Sequence, residues 1–515
     1  MTSKIEINEK FREAIGAVDD GYNVFITGKA GTGKSTLLKV IRDNLEKNHV
    51  VLAPTGVAAV NIQGQTIHSF FKFRPDITIE KVVKKYRNVK NPEIYKNLEI
   101  LIIDEISMVR ADLLDCVNTF LKMHGPKKNI PFGGVQLVFI GDLYQLPPVV
   151  TYKEKEIFRT MYESPYFFDS KAFKETKFLF IELEKIYRQT EEDFIKILNA
   201  VRNRSIDDNL LTLLNKNTNF NFEPDPDEGF IELVTVNAKA DEINYQKLAN
   251  LKGKMFTYEG EISGDFDEKA FPAPHILDLK VGSQVMLTNN DKLGRWINGT
   301  VGKIKRIENR KEIGDCVWVK LENGELVDVT PNTWEMYKFS YDSKNNKIIT
   351  QTSGSFTQYP IILSWAITIH KSQGKTFKKT IVDMGRGSFA HGQTYVALSR
   401  CTTLSGLVLR VPIKKSHILL DWKVVKFLTS FQYQLSDNNI SLDVKIECLK
   451  KKLESNSSCD IVYLKANDEK TKRTIWPREI GKMEYLGKEF IGVIADDDLR
   501  GEERVFRVDR ILEIK

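Results

Sequence analysis

The sequence predicts an α/β protein built on open, mostly parallel sheets, and three observations carry that expectation. A short apolar run, Asn23 to Thr27, leads directly into a glycine-rich loop, Gly28-Lys29-Ala30-Gly31-Thr32-Gly33-Lys34-Ser35-Thr36, and helix-favouring residues follow from Leu37 to Ile41. Two further apolar runs, Ile100 to Ile103 and Gln136 to Ile140, end in Asp104-Glu105 and in Gly141-Asp142-Leu143-Tyr144-Gln145. Strands that deliver polar residues at their C-terminal ends are what an open parallel sheet does at its ligand crevice. Finally, the 515-residue length exceeds what one hydrophobic core supports, which implies roughly three or four domains.

Composition narrows the class without deciding function. The chain is 42% hydrophobic and 28% charged, as ordinary soluble proteins are, with no low-complexity tract or repeat. No apolar signal region opens the sequence and no run reaches the roughly 20 apolar residues of a membrane span, so the expected location is cytoplasmic, at the nucleoid in a bacterium, with no membrane partner. Cys116, Cys316, Cys401, Cys448 and Cys459 are scattered, without a C-x-x-C pair or histidines at metal spacing; they are expected to be reduced and structural. A net charge of +7 permits a nucleic-acid partner without demanding one.

The first loop fits G-x-x-x-x-G-K-[ST] between a strand and a helix N-terminus, the context that a phosphate-binding loop needs. Gly28, Ala30, Gly31, Thr32 and Gly33 would turn backbone N–H groups onto phosphates. Lys34 would reach the β- and γ-phosphates, Ser35 would ligate Mg²⁺, and Thr36 completes the expected ATP-binding set. ATP and Mg²⁺ are therefore the implied cofactors. An acidic pair closing a buried strand suits a bound cation and an attacking water, with Asp104 on the metal and Glu105 on the water. Alone, such a pair serves equally as a helix N-cap; its coexistence with the loop favours the catalytic role. Gln145 is placed to sense the γ-phosphate or orient the water, the alternative being a loop amide facing solvent.

Further segments extend these motifs. They are Val51-Leu52-Ala53-Pro54-Thr55-Gly56 through Gln65-Thr66-Ile67-His68-Ser69-Phe70, Leu183-Glu184-Lys185-Ile186-Tyr187-Arg188-Gln189, Trp365 through Ile369-His370-Lys371-Ser372-Gln373-Gly374, and Gln393-Thr394-Tyr395-Val396-Ala397-Leu398-Ser399-Arg400. In this order, and with Met108 to Gly134 between the acidic pair and the third strand, the chain resembles the petite-integration-frequency (PIF) helicases, group B of helicase superfamily one, over roughly residues 5–410. The resemblance implies two RecA-like parallel-sheet domains, expected at 1–180 and 181–412, with ATP between them and single-stranded DNA across both. It assigns Arg188 and Arg400 to the γ-phosphate, where they would stabilise transfer and couple closure to nucleotide state, and Gly374 to the nucleotide. Thr55 and Gly56, opening a helix after the strand Val50 to Ala53, could bind a DNA phosphate. His68, His370, Lys371 and Ser372 are the next DNA candidates; for His68 a buried, hydrogen-bonded ring is the alternative. One departure stands out: the family's base-reading glutamine is replaced by Phe11, with Asn8 or Glu9 as substitutes.

Around these domains the sequence suggests additions. A small insertion over about 65–98 would hold the family's strand-separating wedge, or be a solvated basic helix. Short β-rich runs over about 290–358, including Val317 to Leu321 and Leu326 to Val329 around Asn323-Gly324, read as a hairpin within a small inserted β-barrel, Src-homology-three-like by the resemblance. After residue 412 a helical linker (413–457; Trp422 to Gln434, then Leu442 to Leu453) precedes a small β-rich domain at 458–515 that resembles a WYL domain. There Arg473, Arg478, Arg504 and Arg507 with Tyr463, Trp476 and Phe506 would suit single-stranded nucleic acid, or be an ordinary core with solvated arginines.

Together these features imply an ATP-dependent DNA helicase moving 5′ to 3′ on single strands, the direction resting on the resemblance. Its implied partners are single-stranded and tailed duplex DNA, with G-quadruplex DNA a further candidate, in replication, recombination or repair; a monomer is the expected solution state. The alternative is an ATP-dependent DNA-binding switch or annealing factor without processive unwinding. A small-molecule kinase would leave the motifs after residue 180 unexplained.

Overall fold

A computed structural model of the chain describes residues 7–150, 154, 158, 160–310, 314–385, 387–485, 487–499 and 501–514. The first domain is a six-stranded, all-parallel sheet of β1 (Val24–Gly28), β2 (His49–Ala53), β3 (Gln65–Thr66), β4 (Ile100–Ile103), β5 (Gln136–Ile140) and β6 (Leu179–Leu183), in the spatial order β3-β2-β4-β5-β1-β6. Its four central strands read as nearly unbroken apolar runs because both faces are covered. Val24, Ile26, Ile100, Ile102, Val138 and Ile140 share one core with Leu37, Leu38 and Ile41 of the helix Lys34–Asn44 and with Phe11, Ala14 and Val18 of the helix Glu9–Asp19. Each of these larger side chains contributes about 1.5–3 kcal/mol on burial. On the other face Phe25 and Phe139 pack edge-on against Phe167.

The strand β6 pairs with β1 from Val24↔Leu179 to Gly28↔Leu183. The expected boundary at 180 therefore cuts a strand, and the first domain runs through Leu183. The second sheet is also parallel, in the order Ala366–Thr368, Ile231–Val234, Thr380–Asp383, Leu407–Leu409.

Between Ile231–Val234 and Ala366–Thr368 lies an antiparallel insertion wider than the expected 290–358, because strands on both sides of that range pair within it. Gln284–Leu287 pairs with Ile361–Leu363 at one side of a five-stranded sheet, while Phe256–Glu259 and Glu261–Gly264 also belong to the insertion. The Asn323-Gly324 hairpin forms as expected, with Val319 opposite Val327 and Gly324 at φ +87°. A long hairpin, Asn332–Asp342 with Lys347–Gln358, reaches the first domain. There the Asn48 side chain accepts a hydrogen bond from the Ile348 amide at 2.8 Å and donates one to the Asn346 carbonyl at 3.1 Å. Gln65 Oε1 accepts from the Phe339 amide at 3.2 Å, and the Phe70 and Phe339 rings meet edge-on at 6.0 Å. In the expected 65–98 insertion, Phe70, Phe71, Phe73, Tyr86 and Tyr95 form one aromatic cluster with Phe120.

Residues 420–515 form a separate compact unit, to which residues 203–205 also belong. The helices Trp422–Asn439 and Leu442–Glu454 belong to this unit instead of forming a linker. Leu449 sits in the core with Cys459, Ile461, Ile475, Val493, Phe506 and Ile511, and Ser436 Oγ donates to the Ile511 carbonyl at 3.1 Å. Its five antiparallel strands form a meander, Cys459–Leu464, Lys470–Tyr485, Lys488–Asp497 and Glu502–Arg507, after which a single 3₁₀ turn, Val508–Arg510, returns Ile511–Ile514 to the first strand. The arginines expected on a nucleic-acid face are engaged by carboxylates. Arg473 is 6% exposed and ion-paired to Asp497. Arg478 donates to Asp496 at 2.8 Å and Arg507 to Asp509 at 2.6 Å, and Phe506 is buried. Arg504 is half-buried. Acids on the neighbouring strand (Asp497, Asp496) and in the adjoining turn (Asp509) neutralise three of the four arginines, so this set does not make a cationic surface. The five cysteines are free thiols, four of them buried, as expected. Among the described residues no helix is long and apolar enough to cross a membrane.

Candidate active site

The loop after β1 has the conformation its glycines permit: Gly31 and Gly33 lie at φ +82° and +86°. A side chain on Gly31 would meet Arg188 Cβ at 2.6 Å, so the absence of a Cβ there lets Arg188 pack on the loop. Lys34 Nζ is folded back, donating to the carbonyls of Gly28 at 2.7 Å and Lys29 at 3.0 Å. Burial lowers its pKa, opposed by the negative charges of Asp142 and Glu105. The Ala30 amide donates to the Tyr395 hydroxyl at 2.9 Å. Burial raises the Tyr395 pKa to about 12, so a neutral phenol from the second domain rests on the phosphate loop. Ser35 and Thr36 are exposed at the helix start.

The acids are equally marked by their surroundings. Burial raises Asp104 to about 6 and Glu105 to about 7, the latter helped by the neighbouring Asp104 charge. Glu105 also sits at φ 49°, ψ 41°, a left-handed conformation that strains a residue other than glycine. Gln145 is 6% exposed and both ends of its amide are used: Nε2 donates to Asp142 at 3.0 Å, while Oε1 accepts from Gln373 Nε2 at 3.1 Å. Gln373 Nε2 also lies 3.4 Å from Glu105 Oε2. One side chain from the second domain therefore touches both the acid and the amide expected to handle the water.

Arg188 and Arg400 converge on Ser399. Arg188 donates to the Ser399 carbonyl at 3.2 Å, and Arg400 to the Ser399 hydroxyl at 2.8 Å and to the Val396 carbonyl at 2.9 Å. Arg400 is 1% exposed, and burial followed by the neighbouring Arg188 charge pushes its pKa down to about 9. Two adjacent, partly desolvated guanidinium groups favour an anion, which a γ-phosphate supplies. Gly374, at φ +79°, directly follows the bridging glutamine.

Phe11 is 2% exposed in the core and its ring backs Gly33. The Asn8 amide is already occupied, since Oδ1 accepts from the Phe11 amide at 2.8 Å and Nδ2 donates to the Tyr187 hydroxyl at 3.0 Å. Glu9 is exposed on the helix.

The DNA candidates fare unequally. Thr55 is exposed and accepts from the Ala58 amide at 3.3 Å as the N-cap. Gly56 is covered, a Cβ there lying 2.5 Å from Ala270 Cβ of the insertion. His68 is half-buried, and desolvation lowers its pKa and that of His370, leaving both rings as hydrogen-bonding groups more than cations at neutral pH. Lys371 is exposed. Ser372 is a correction: it is fully buried, and its hydroxyl donates to the Ile369 carbonyl at 2.7 Å because it closes the turn after Ala366–Thr368. Sequence reasoning missed Asp142, Gln373 and Tyr395. All three lie inside recognised motifs, but their importance is set by which residues meet across the cleft.

A family profile described as PIF1-like helicase matches residues 4–210. The ATP-dependent DNA helicase Pif1 of Bdellovibrio bacteriovorus is 30% identical over 440 residues, which cover 83% of this chain and 93% of that protein. The chain belongs to the PIF1-like helicases. It spans 54 to 64% of the length of other curated PIF1 relatives it matches. The crystal structure of Bacteroides sp. Pif1 in complex with ADP-AlF4 is 37% identical and covers 84% of this chain and 98% of its own, with a TM-score of 0.77. Bacteroides Pif1 bound to ssDNA, 36% identical over 83% of this chain and 97% of its own, gives 0.58. This PIF1-like chain is thus more similar to the relative solved without DNA than to the one bound to ssDNA.

Proposed function

We propose that the chain is an ATP-dependent DNA helicase that translocates 5′ to 3′ on single-stranded DNA and opens tailed duplexes. The observation that carries this reading is the amide of Gln373, which reaches both Glu105 and Gln145. Hydrolysis in such a cleft depends on how the two sheets meet, and movement of one against the other is what translocation requires. Lys34 and the N–H groups of residues 28–36 would hold the phosphates, and Arg188 and Arg400 would stabilise charge in transfer. Asp104, a buried acid with a raised pKa, and Ser35 fit a divalent cation, Mg²⁺, which would neutralise the phosphate oxygens. DNA would run over Thr55, His68, His370 and Lys371. Binding at Gly56 would require the Glu268–Ala270 turn to move, consistent with the lower similarity to the ssDNA-bound relative.

Family resemblance extends the proposal to recombination and repair substrates including G-quadruplexes, a monomeric state, a cytoplasmic location and a WYL-like terminal module. Strand displacement on duplexes with a 5′ or a 3′ tail tests the central claim. Unwinding of the 5′-tailed substrate alone is expected; DNA-stimulated hydrolysis without displacement of either would establish the annealing or switch reading instead.

A further inference from the structure

The loop between Thr380–Asp383 and Gln393–Leu398 carries a feature that the nucleotide chemistry does not use. Phe389 is 64% exposed, yet its backbone is held in place. Its amide donates to Gln393 Oε1 at 3.1 Å, and the Ser388 and Thr394 hydroxyls lie 2.6 Å apart. The same loop is seated on the first domain, with a His391 ring nitrogen 3.1 Å from the Leu143 carbonyl. A Cβ on Gly392 would fall 2.3 Å from the carbonyls of Tyr144 and Gln145, so only glycine allows that approach, at φ +74°. An exposed ring on an anchored loop is a prepared surface, since little conformational freedom remains to be lost on binding.

Its neighbours indicate what it receives. The Phe389 ring lies 14° from parallel to His370, centroids 6.3 Å apart, and Lys371 is exposed beside that histidine. All three follow the C-terminal ends of parallel strands, where open sheets bind ligands. A flat apolar face next to a planar ring and a cation matches an unpaired base with its phosphate.

We propose that Phe389 is a base-stacking platform for single-stranded DNA, with Lys371 taking an adjacent phosphate. The inference rests on the reading of this edge as DNA-facing. It is tested on the full chain with a single strand carrying 2-aminopurine, by measuring affinity across a salt series and fluorescence quenching. Phe389→Leu keeps size and apolarity but loses the aromatic face; it should weaken binding about tenfold and abolish the quenching while leaving the salt slope unchanged. Phe389→Trp should retain both affinity and quenching. Lys371→Ala should flatten the salt slope by about 0.7. Wild-type affinity and quenching in Phe389→Leu, with a flattened slope in Lys371→Ala, would overturn the platform and leave the DNA edge standing. No effect of either substitution would overturn the DNA-facing reading itself.

Discussion

At Glu105, three circumstances act on one carboxylate: burial, the adjacent Asp104 and a left-handed backbone. Activation of water needs the ionised form, and the raised pKa of about 7 makes that form scarce in acid. The kcat/KM for ATP should therefore rise with pH through about 7, and a profile flat from about pH 6 to 8 would remove Glu105 from that role. The stability effect has the opposite sign. Between the ordinary value of 4.5 and the folded value of about 7, the folded chain holds more protons on this group than the unfolded chain, so its contribution declines as pH rises. Lys34→Ala should reduce turnover on the order of 10²-fold or more, measured by phosphate release. Arg400→Ala should lower kcat by about 10³-fold or more while nucleotide still binds, as followed by fluorescent-nucleotide titration. Lys34, Glu105 and Gln145 were legible because each sits at a fixed offset from a buried strand. Gln373 and Tyr395 were not, because neighbours 228 and 365 residues distant give them their contacts.

Among the elements, periodicity and turn chemistry located strands and helices well. Ile100–Ile103 and Gln136–Ile140 match their apolar runs, and Asn323-Gly324 marked its hairpin. Boundaries failed where pairing decides them: β6 is an edge strand of the first sheet, and the insertion closes through Gln284–Leu287 against Ile361–Leu363. The long hairpin's attachment to Asn48 was also beyond the sequence, since an asparagine at the start of a strand carries no sign of a partner 300 residues away. Asn48→Ala removes two side-chain hydrogen bonds, which should cost about 1–3 kcal/mol locally and speed amide exchange at Ile348. Unchanged exchange there would mean that Gln65 and Phe70 hold the hairpin alone. Gly392→Ala should be harsher than its size suggests, because strain and the carbonyl contacts combine; a loss on the order of 1–3 kcal/mol is expected by thermal melting.

The whole molecule divides into two units with separate cores. Every residue of the nucleotide cleft lies before Leu420, and the helices Trp422–Asn439 and Leu442–Glu454 belong with the terminal sheet. Truncation after Leu419 should consequently leave a folded chain with ATP turnover near that of the full protein, checked by circular dichroism and a coupled assay. Truncation at residue 457 should instead expose Leu449 and lower solubility. The helices themselves were legible from the sequence; their membership in the terminal core was not, because a short polar stretch, Ser455 to Ser458, looks like a domain boundary.

Lys34 resting on the carbonyls of Gly28 and Lys29 has a kinetic meaning. When a diphosphate departs, the lysine has internal acceptors waiting and no bare ammonium is stranded in a buried site. An incoming triphosphate would replace these two carbonyl acceptors of Lys34 with its own oxygens. The loop would then act as its own placeholder, which would suit the proposed cycle of emptying and refilling the site.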